Sequence, residues 1–389
     1  MLKNIIISLL LCTFLSAESF DEFLQKDIQN SPYLESSALA VKQTKEEGDV
    51  LTRYENPTLE LEYSSFSPDI GSSDDGYRVS YSQPVRLWSV GDDKRAVVNA
   101  NIKSANASFA EKRAIFIRDM SISYTLYSKA KMLLALGDEE LQIAKKIYDI
   151  SVARFEGGSI SKGVKLQALV DFEMSESSKD FLSLNSMQSY YSLLKFAGIN
   201  EEIELDVAYD FTISSDLQNI NNPTLEVFKA QQNQALREAK LNSNSVEWMN
   251  LFAELENEPE QDVARIGLNF PLAFFNDKSQ EKRISTLQAS RTELLIKNEK
   301  SRLNIELIKL QKERQALLKL SKNSDKTLRT QLELLKMYED GYKISNINLL
   351  QLQDIKNRVI QTKRALIQIY TALNQNAIYT NYTQGNYNE

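Results

Sequence analysis

Side chains able to do chemistry are few in this chain. There is no histidine among its 389 residues, which removes the usual general base near neutral pH and the commonest metal ligand. The one cysteine, Cys12, lies inside an apolar N-terminal run. The sequence shows no glycine-rich phosphate loop, no nucleophile motif and no metal-ligand spacing. No catalytic residue, cofactor or metal site is therefore expected. What remains are paired carboxylates, Glu60 with Glu62 and Glu254 with Glu256. A spacing of two places each pair on one face of a strand, where a solvated lumen accounts for them without catalysis. The net charge of −7 is modest and argues against a nucleic-acid partner.

The carboxylates fall in four alternating segments. In Thr58-Leu59-Glu60-Leu61-Glu62-Tyr63 apolar and polar residues face opposite sides, as strand geometry requires. Tyr77, Val79 and Tyr81 alternate with Arg78, Ser80 and Ser82, and the same pattern recurs around Leu251–Leu255 and Ala264–Phe270. Strands are expected at about 58–66, 76–85, 247–256 and 262–271, joined by the polar turns Ser67-Pro68-Asp69 and Asn257-Glu258-Pro259. Each has the length of a tilted transmembrane strand, about 9–11 residues. Tyr63, Tyr77, Tyr81, Trp248 and Phe270 near their ends suit an interfacial aromatic girdle.

Long helices must position these strands. Glycine (12) and proline (7) are scarce, so turns are few. From about 92 to 155 there is no proline and one interior glycine, Gly137; at 1.5 Å per residue this run spans roughly 95 Å. The run 278–338 has neither residue type. Two apolar seams in the first run, about 100° apart, call for neighbours on two sides, as in a bundle or a closed ring of helices. Further helices are expected at about 161–197 and 345–376.

The elements occur twice in the same order. Pro32 and Pro223 each open a helix, where the missing N–H costs nothing. A strand pair, a long helix, a glycine break and a second helix follow in both halves. The breaks read Arg154-Phe155-Glu156-Gly157-Gly158 and Met337-Tyr338-Glu339-Asp340-Gly341. A first repeat over 18–197, a linker over 198–222, a second repeat over 223–378 and a polar tail over 379–389 are the expected divisions. Ahead of them, Lys3, the run Ile5–Leu15 and Ser16-Ala17-Glu18 read as a secretory signal over 1–17, cleaved after Ala17. Its apolar run of about 11 residues is too short to span a bilayer. The Leu10-Leu11 that precedes Cys12 fits poorly with lipoprotein processing, so no lipid anchor is expected. Four strands cannot close a barrel in lipid; two copies would give eight strands and three would give twelve.

The ordered set of phrases, with Ser82-Gln83-Pro84-Val85, resembles the TolC family of outer membrane factors over about residues 20–380. The resemblance implies a mostly α fold with a membrane β-barrel: a homotrimer with a 12-stranded barrel and a 12-helix periplasmic tunnel. It implies an outer membrane channel-tunnel, reaching into the periplasm, that exports substrates from a tripartite efflux pump. Its partners would be a periplasmic adaptor, an inner-membrane pump of the RND (resistance–nodulation–division) type, and outer membrane lipid. Gly91-Asp92-Asp93-Lys94-Arg95 and Phe270-Pro271-Leu272 lean towards the heavy-metal and cation branch. The resemblance places adaptor contacts at the helix tips Gly157, Gly158, Ser159, Gly341 and Tyr342, and a gate at Tyr338 and Lys343 whose polar links hold the entrance shut. Where some members carry acidic rings, this chain has Asn348 and Gln351. The exit duct of a type I protein secretion system is the alternative, and a periplasmic coiled-coil adaptor a more distant one.

Overall fold

The computed structural model describes residues 19–67, 73–213 and 221–386. The signal segment, the centre of the first hairpin turn at Pro68-Asp69, and parts of the linker and tail lie outside these residues. Eleven elements follow in order: α1 (Phe20–Asn30), α2 (Pro32–Thr52), β1 (Thr58–Phe66), β2 (Asp74–Arg86), α3 (Trp88–Glu156), α4 (Lys162–Ala197), α5 (Pro223–Leu241), β3 (Trp248–Glu258), β4 (Gln261–Asn269), α6 (Ser279–Lys343) and α7 (Leu349–Gln384). The fold is mostly helical with one small antiparallel sheet. No described helix is long and apolar enough to cross a membrane.

Three elements differ from the sequence reading. Helix α7 runs past the end expected at about 376 to Gln384, into the expected polar tail, where Thr380, Thr383 and Gln384 are buried. Helix α1 was not anticipated. It is started by Ser19, whose side chain accepts from the Glu22 N–H while Glu22 bonds back to the Ser19 N–H, a capping box. Helix α6 does not break at Gly341 but runs through it to Lys343.

The described residues divide into two compact units, each drawing on both halves of the chain. One holds α1, α3 from Ala114, α4, the segment after it, α6 from Asn304, and α7. Its core includes Ile147, Ala168, Leu335, Tyr342, Leu352, Ile355 and Val359. Helices α3 and α4 come close at Gly137, where a Cβ would stand 2.7 Å from Leu182 Cδ1. Ion pairs lace the helices together. Lys356, 1% exposed, donates to both carboxylate oxygens of Asp171 at 2.7 Å, and Lys363 pairs with Glu139. Side chains also fasten the described residues of the segment after α4, in which Leu205 forms an isolated β-bridge. Tyr124 Oη donates to the Asp206 carbonyl at 2.5 Å, Ser128 Oγ to that of Val207 at 2.7 Å, and Asn374 accepts from the Phe211 N–H at 3.1 Å. Phe20, Tyr124, Tyr209 and Phe211 pack as one aromatic cluster. On α1, Asp27 is buried with one carboxylate oxygen unpartnered, and burial pushes its pKa up to about 7.

The other unit holds α2, the sheet, α3 to Arg113, α5, and α6 to Leu303. Its strands run in the order β1-β2-β3-β4, all antiparallel. Pro84 sits in the central strand β2 without a lost ladder bond on the β1 side, because the β1 ladder ends at Thr58↔Ser82. Where β2 meets the helices, the Arg86 guanidinium donates to the Thr52 and Arg53 carbonyls at 2.8 and 2.5 Å and lies over the Tyr54 and Trp248 rings. It thereby satisfies carbonyls left over at the end of α2. The Glu247 carboxylate forms an ion pair with Arg86 at 3.4 Å and also pairs with Lys94.

Candidate functional site

The register of the sheet sorts its side chains into two chemically distinct faces. Rungs Leu59↔Tyr81↔Ala253↔Ile266 and Leu61↔Val79↔Leu255↔Ala264 put only apolar or aromatic side chains on one face. That face is open: Leu59 is 63% exposed, Leu61 71%, Leu255 63% and Ile266 84%. The intervening rungs, Glu60↔Ser80↔Glu254↔Arg265 and Glu62↔Arg78↔Glu256↔Val263, collect the polar groups on the other. All four expected carboxylates share this face, and three of them are ion-paired. Arg78 pairs with Glu62, and Arg265 bridges Glu254 and Glu256. The two arginines offset much of the negative charge that the paired carboxylates alone implied. Two aromatic rings cover glycines on this face: a Cβ on Gly267 would stand 2.5 Å from the Phe252 ring, and one on Gly76 2.9 Å from Phe66. Among the described residues, the outer edges of β1 and β4 carry no strand partner.

The second candidate region is the pair of helix tips, α3 to α4 and α6 to α7, both in the first unit. At the first tip the Gly158 N–H bonds to the Phe155 carbonyl and the Ser159 N–H to that of Arg154, at 3.0 and 2.8 Å. Gly158 has φ +72. This is a Schellman ending. The same two bonds recur at the second tip from Ser345 to Tyr342 and from Asn346 to Gly341, at 3.3 and 2.9 Å. There the positive-φ residue is Ser345, φ +69. Three residues on, Ser161 caps α4 and Asn348 caps α7. The hydrogen bonds therefore match Gly158 to Ser345 and Phe155 to Tyr342. The phrase match of Phe155 with Tyr338 and Gly158 with Gly341 lies one helical turn too early.

This shift relocates several expected roles. Tyr338 is half-buried against the core and makes no side-chain hydrogen bond among the described residues. The polar links belong to Tyr342, which is 1% exposed and shares a 2.8 Å hydrogen bond with Ser151 Oγ. A side chain so buried offers no docking surface, unlike the exposed Gly157, Gly158 and Ser159. Arg154, which sequence reading passed over as part of a phrase, donates to the Tyr342 carbonyl at 2.8 Å and to Ser345 Oγ at 3.1 Å, and lies over the Tyr342 ring. Lys343 is exposed and pairs with Asp340 at 3.0 Å; that hydrogen bond holds the Asp340 carboxyl below its usual value of 3.8. Asn348 and Gln351 form a capping box, each side chain accepting from the other's backbone N–H. Gly341 is needed for packing: a Cβ there would stand 2.6 Å from Ile347 Cγ1. No described group of three His, Cys, Asp or Glu could hold a metal ion.

An open-edged sheet with one apolar and one polar face, carried by helices of 69 and 65 residues, is an arrangement with solved counterparts. CusC, whose structures describe transmembrane channel formation, superposes with a TM-score of 0.80 over 96% of this chain and 93% of its own at 12% identity. The outer membrane protein VceC of Vibrio cholerae gives 0.77 at 12% identity over 94% and 95%. The CmeC outer membrane channel of Campylobacter jejuni gives 0.72 at 14% identity over 94% and 86%. The chain has the TolC-family fold. No family model matches the sequence, nor does any curated protein. Within the TolC-like fold, the sheet and the paired tips are the parts whose chemistry bears on function.

Proposed function

We propose that the protein is an outer membrane channel-tunnel that forms the exit duct of a tripartite efflux pump. The observation that carries this reading is the sheet: its apolar face is open to the surroundings, its polar face is ion-paired, and its edges are unpartnered. In lipid such edges must close, so the chain acts as an oligomer. Three copies supply twelve strands, a number within the range of outer membrane barrels. The two halves of the chain are a duplication in this reading, supported by their matched capping bonds at the helix tips. The likeness to outer membrane channels supports the location, in the outer membrane and reaching into the periplasm. A periplasmic adaptor would dock at Gly157, Gly158 and Ser159, and an inner-membrane pump would supply the cargo. The polar face, with Glu60, Glu62, Glu254 and Glu256 balanced in part by Arg78 and Arg265, would line the lumen. The tip contacts of Arg154, Tyr342 and Lys343 would hold the entrance closed. The test is fractionation followed by planar-bilayer recording. The protein should remain in the outer membrane after carbonate washing and pass stepwise ion current as a purified trimer. Recovery in the soluble periplasm, or a silent bilayer with correctly folded protein, would overturn the reading.

A further inference from the structure

Helix α1, the middle of α3, the segment after α4 and the end of α7 enclose a cavity of about 320 Å³ that the channel reading leaves unused. All of its walls belong to the first unit. Its volume sits at the lower end of the range for small-molecule sites. Part of the lining is aromatic. Tyr209 and Phe211 are half-buried there, edge to face with centroids 4.9 Å apart, and both pack on the buried Phe20. Tyr382 adds a fourth ring, with the Arg118 guanidinium 4.5 Å from its centroid. The polar part of the lining has bonding capacity to spare. Arg118 gives its Nε–H to Asp119 at 2.7 Å, and the rest of its fork makes no hydrogen bond among the described residues. The exposed Gln25 amide makes none among them either. Asp21 accepts from Tyr209 Oη at 2.8 Å through one carboxylate oxygen, which leaves it a second. Asp21 and Gln25 stand four residues apart on α1, one above the other on the same side of the helix.

We propose that this cavity binds a saccharide of one or two pyranose rings. Among the described residues, Arg118 and Asp21 are the charged members of the lining, and their signs cancel, so no net field selects an ion. Arg118 offers donors, Asp21 an acceptor and Gln25 both. That mixture suits hydroxyl groups, each of which donates and accepts. The C–H face of a pyranose is apolar and flat, so it can lie on an aromatic ring without losing a hydrogen bond. A purely apolar ligand would cover the Arg118 fork and the Gln25 amide and leave them unpaired, at a cost in affinity. The site is also held in shape before any ligand arrives. The rings brace one another, Tyr209 is tied to Asp21, and the capping box fixes the first turn of α1. Little ordering is then needed on binding. None of these residues belongs to the sheet or to the helix tips, so the site stands apart from the channel reading.

The test titrates the purified full chain, in a detergent without a sugar headgroup, with two disaccharides, N,N′-diacetylchitobiose and maltose. The first carries the N-acetylated amino sugars of a cell-wall glycan and the second plain hexoses, so the pair also distinguishes the source. Saturation-transfer NMR reads which sugar protons meet the protein. Saturable binding of at least one disaccharide is expected, with the strongest transfer to the C–H protons of one ring face. Gln25→Ala, at an exposed side chain, and Arg118→Leu should each weaken it at least about tenfold, as the loss of one or two hydrogen bonds implies. The thermal unfolding midpoint of Gln25→Ala should stay at the wild-type value. If Arg118→Leu lowers that midpoint, Gln25→Ala decides alone. No saturable binding of either disaccharide would overturn the site. So would binding that Gln25→Ala leaves intact, since the sugar would then sit elsewhere on the chain. Either failure leaves the channel reading standing.

Discussion

The two helix tips end with the same pair of backbone hydrogen bonds, yet they are built from different residues. The α3–α4 tip uses Gly158 where the chain takes a positive φ, and a Cβ there would meet nothing within 4 Å. The α6–α7 tip uses Ser345 for the same conformation. Holding a side-chain-bearing residue left-handed costs roughly 1–2 kcal/mol. The difference extends to the residue that accepts the long Schellman bond. At the first tip it is Arg154, whose side chain reaches across to the second tip; at the second it is Gly341, with no side chain and Ile347 packed into the space. The first tip thus supplies the cross-link and the second receives it while carrying the strain. The second tip is accordingly the one expected to move first.

The largest effect on this asymmetry should come from Arg154→Ala. It removes two hydrogen bonds and a ring contact at once, leaving the Tyr342 carbonyl only its 3.3 Å bond from the Ser345 N–H. A loss of about 2–3 kcal/mol is expected from charged-group hydrogen bonds, seen as a lower unfolding midpoint together with a raised open probability in bilayers. An unchanged midpoint would mean that the two tips are not coupled through this residue. The equivalent position in the other tip offers the control. Gly341→Ala should destabilise through its contact with Ile347, by about 1–3 kcal/mol for an overpacked site. Combining it with Ile347→Ala should recover most of that loss. If Gly341→Ala instead stabilised, helix propensity would outweigh packing at this turn.

A smaller and opposite pair of changes tests the strain itself. Ser345→Gly should stabilise the chain by up to about 1 kcal/mol, reduced by the lost contact of Ser345 Oγ with Arg154. Gly158→Ala should destabilise it by a similar amount, since it installs the strain that Ser345 already bears. Thermal unfolding of both variants would show it, and shifts of the same sign would contradict the equivalence of the two positions.

These residues also mark where the sequence was legible. Period-two alternation in Thr58–Tyr63 and Ala264–Phe270 is local, so strand identity and face could be read directly, and the register kept those faces intact. The pairing of β2 with β3 joins segments far apart in the chain, and no local pattern announces it. The second tip was misplaced by one turn because glycine was taken as the mark of a helix end. Glycine tolerates a left-handed residue but does not create one; the capping bonds do, and they fell on Ser345. Arg86, Arg154 and the Lys356–Asp171 pair were illegible for a related reason. Their partners include residues on distant segments, and nothing in the neighbouring sequence specifies them. Arg78 and Arg265 could have been found, since each falls on the carboxylate face of its strand by alternation alone.

The smallest effect should belong to Lys343, although the family resemblance gave it the gate. Its ammonium is exposed and its one close partner is Asp340, three residues before it on the same helix. Such a pair holds little free energy, and it lies within the second tip rather than between the tips. Lys343→Ala should therefore raise basal leak less than Arg154→Ala does. The pH dependence identifies the cause. Hydrogen bonding to Lys343 holds the Asp340 carboxyl below 3.8 in the folded chain, so the pair contributes above that value and its contribution is lost as pH falls through the lowered one. Wild type and Lys343→Ala should differ slightly but constantly in single-channel current between pH 5 and 8, and converge in stronger acid. A leak as large as that of Arg154→Ala would move the closing contact from the bridge between the tips to the exposed end of α6.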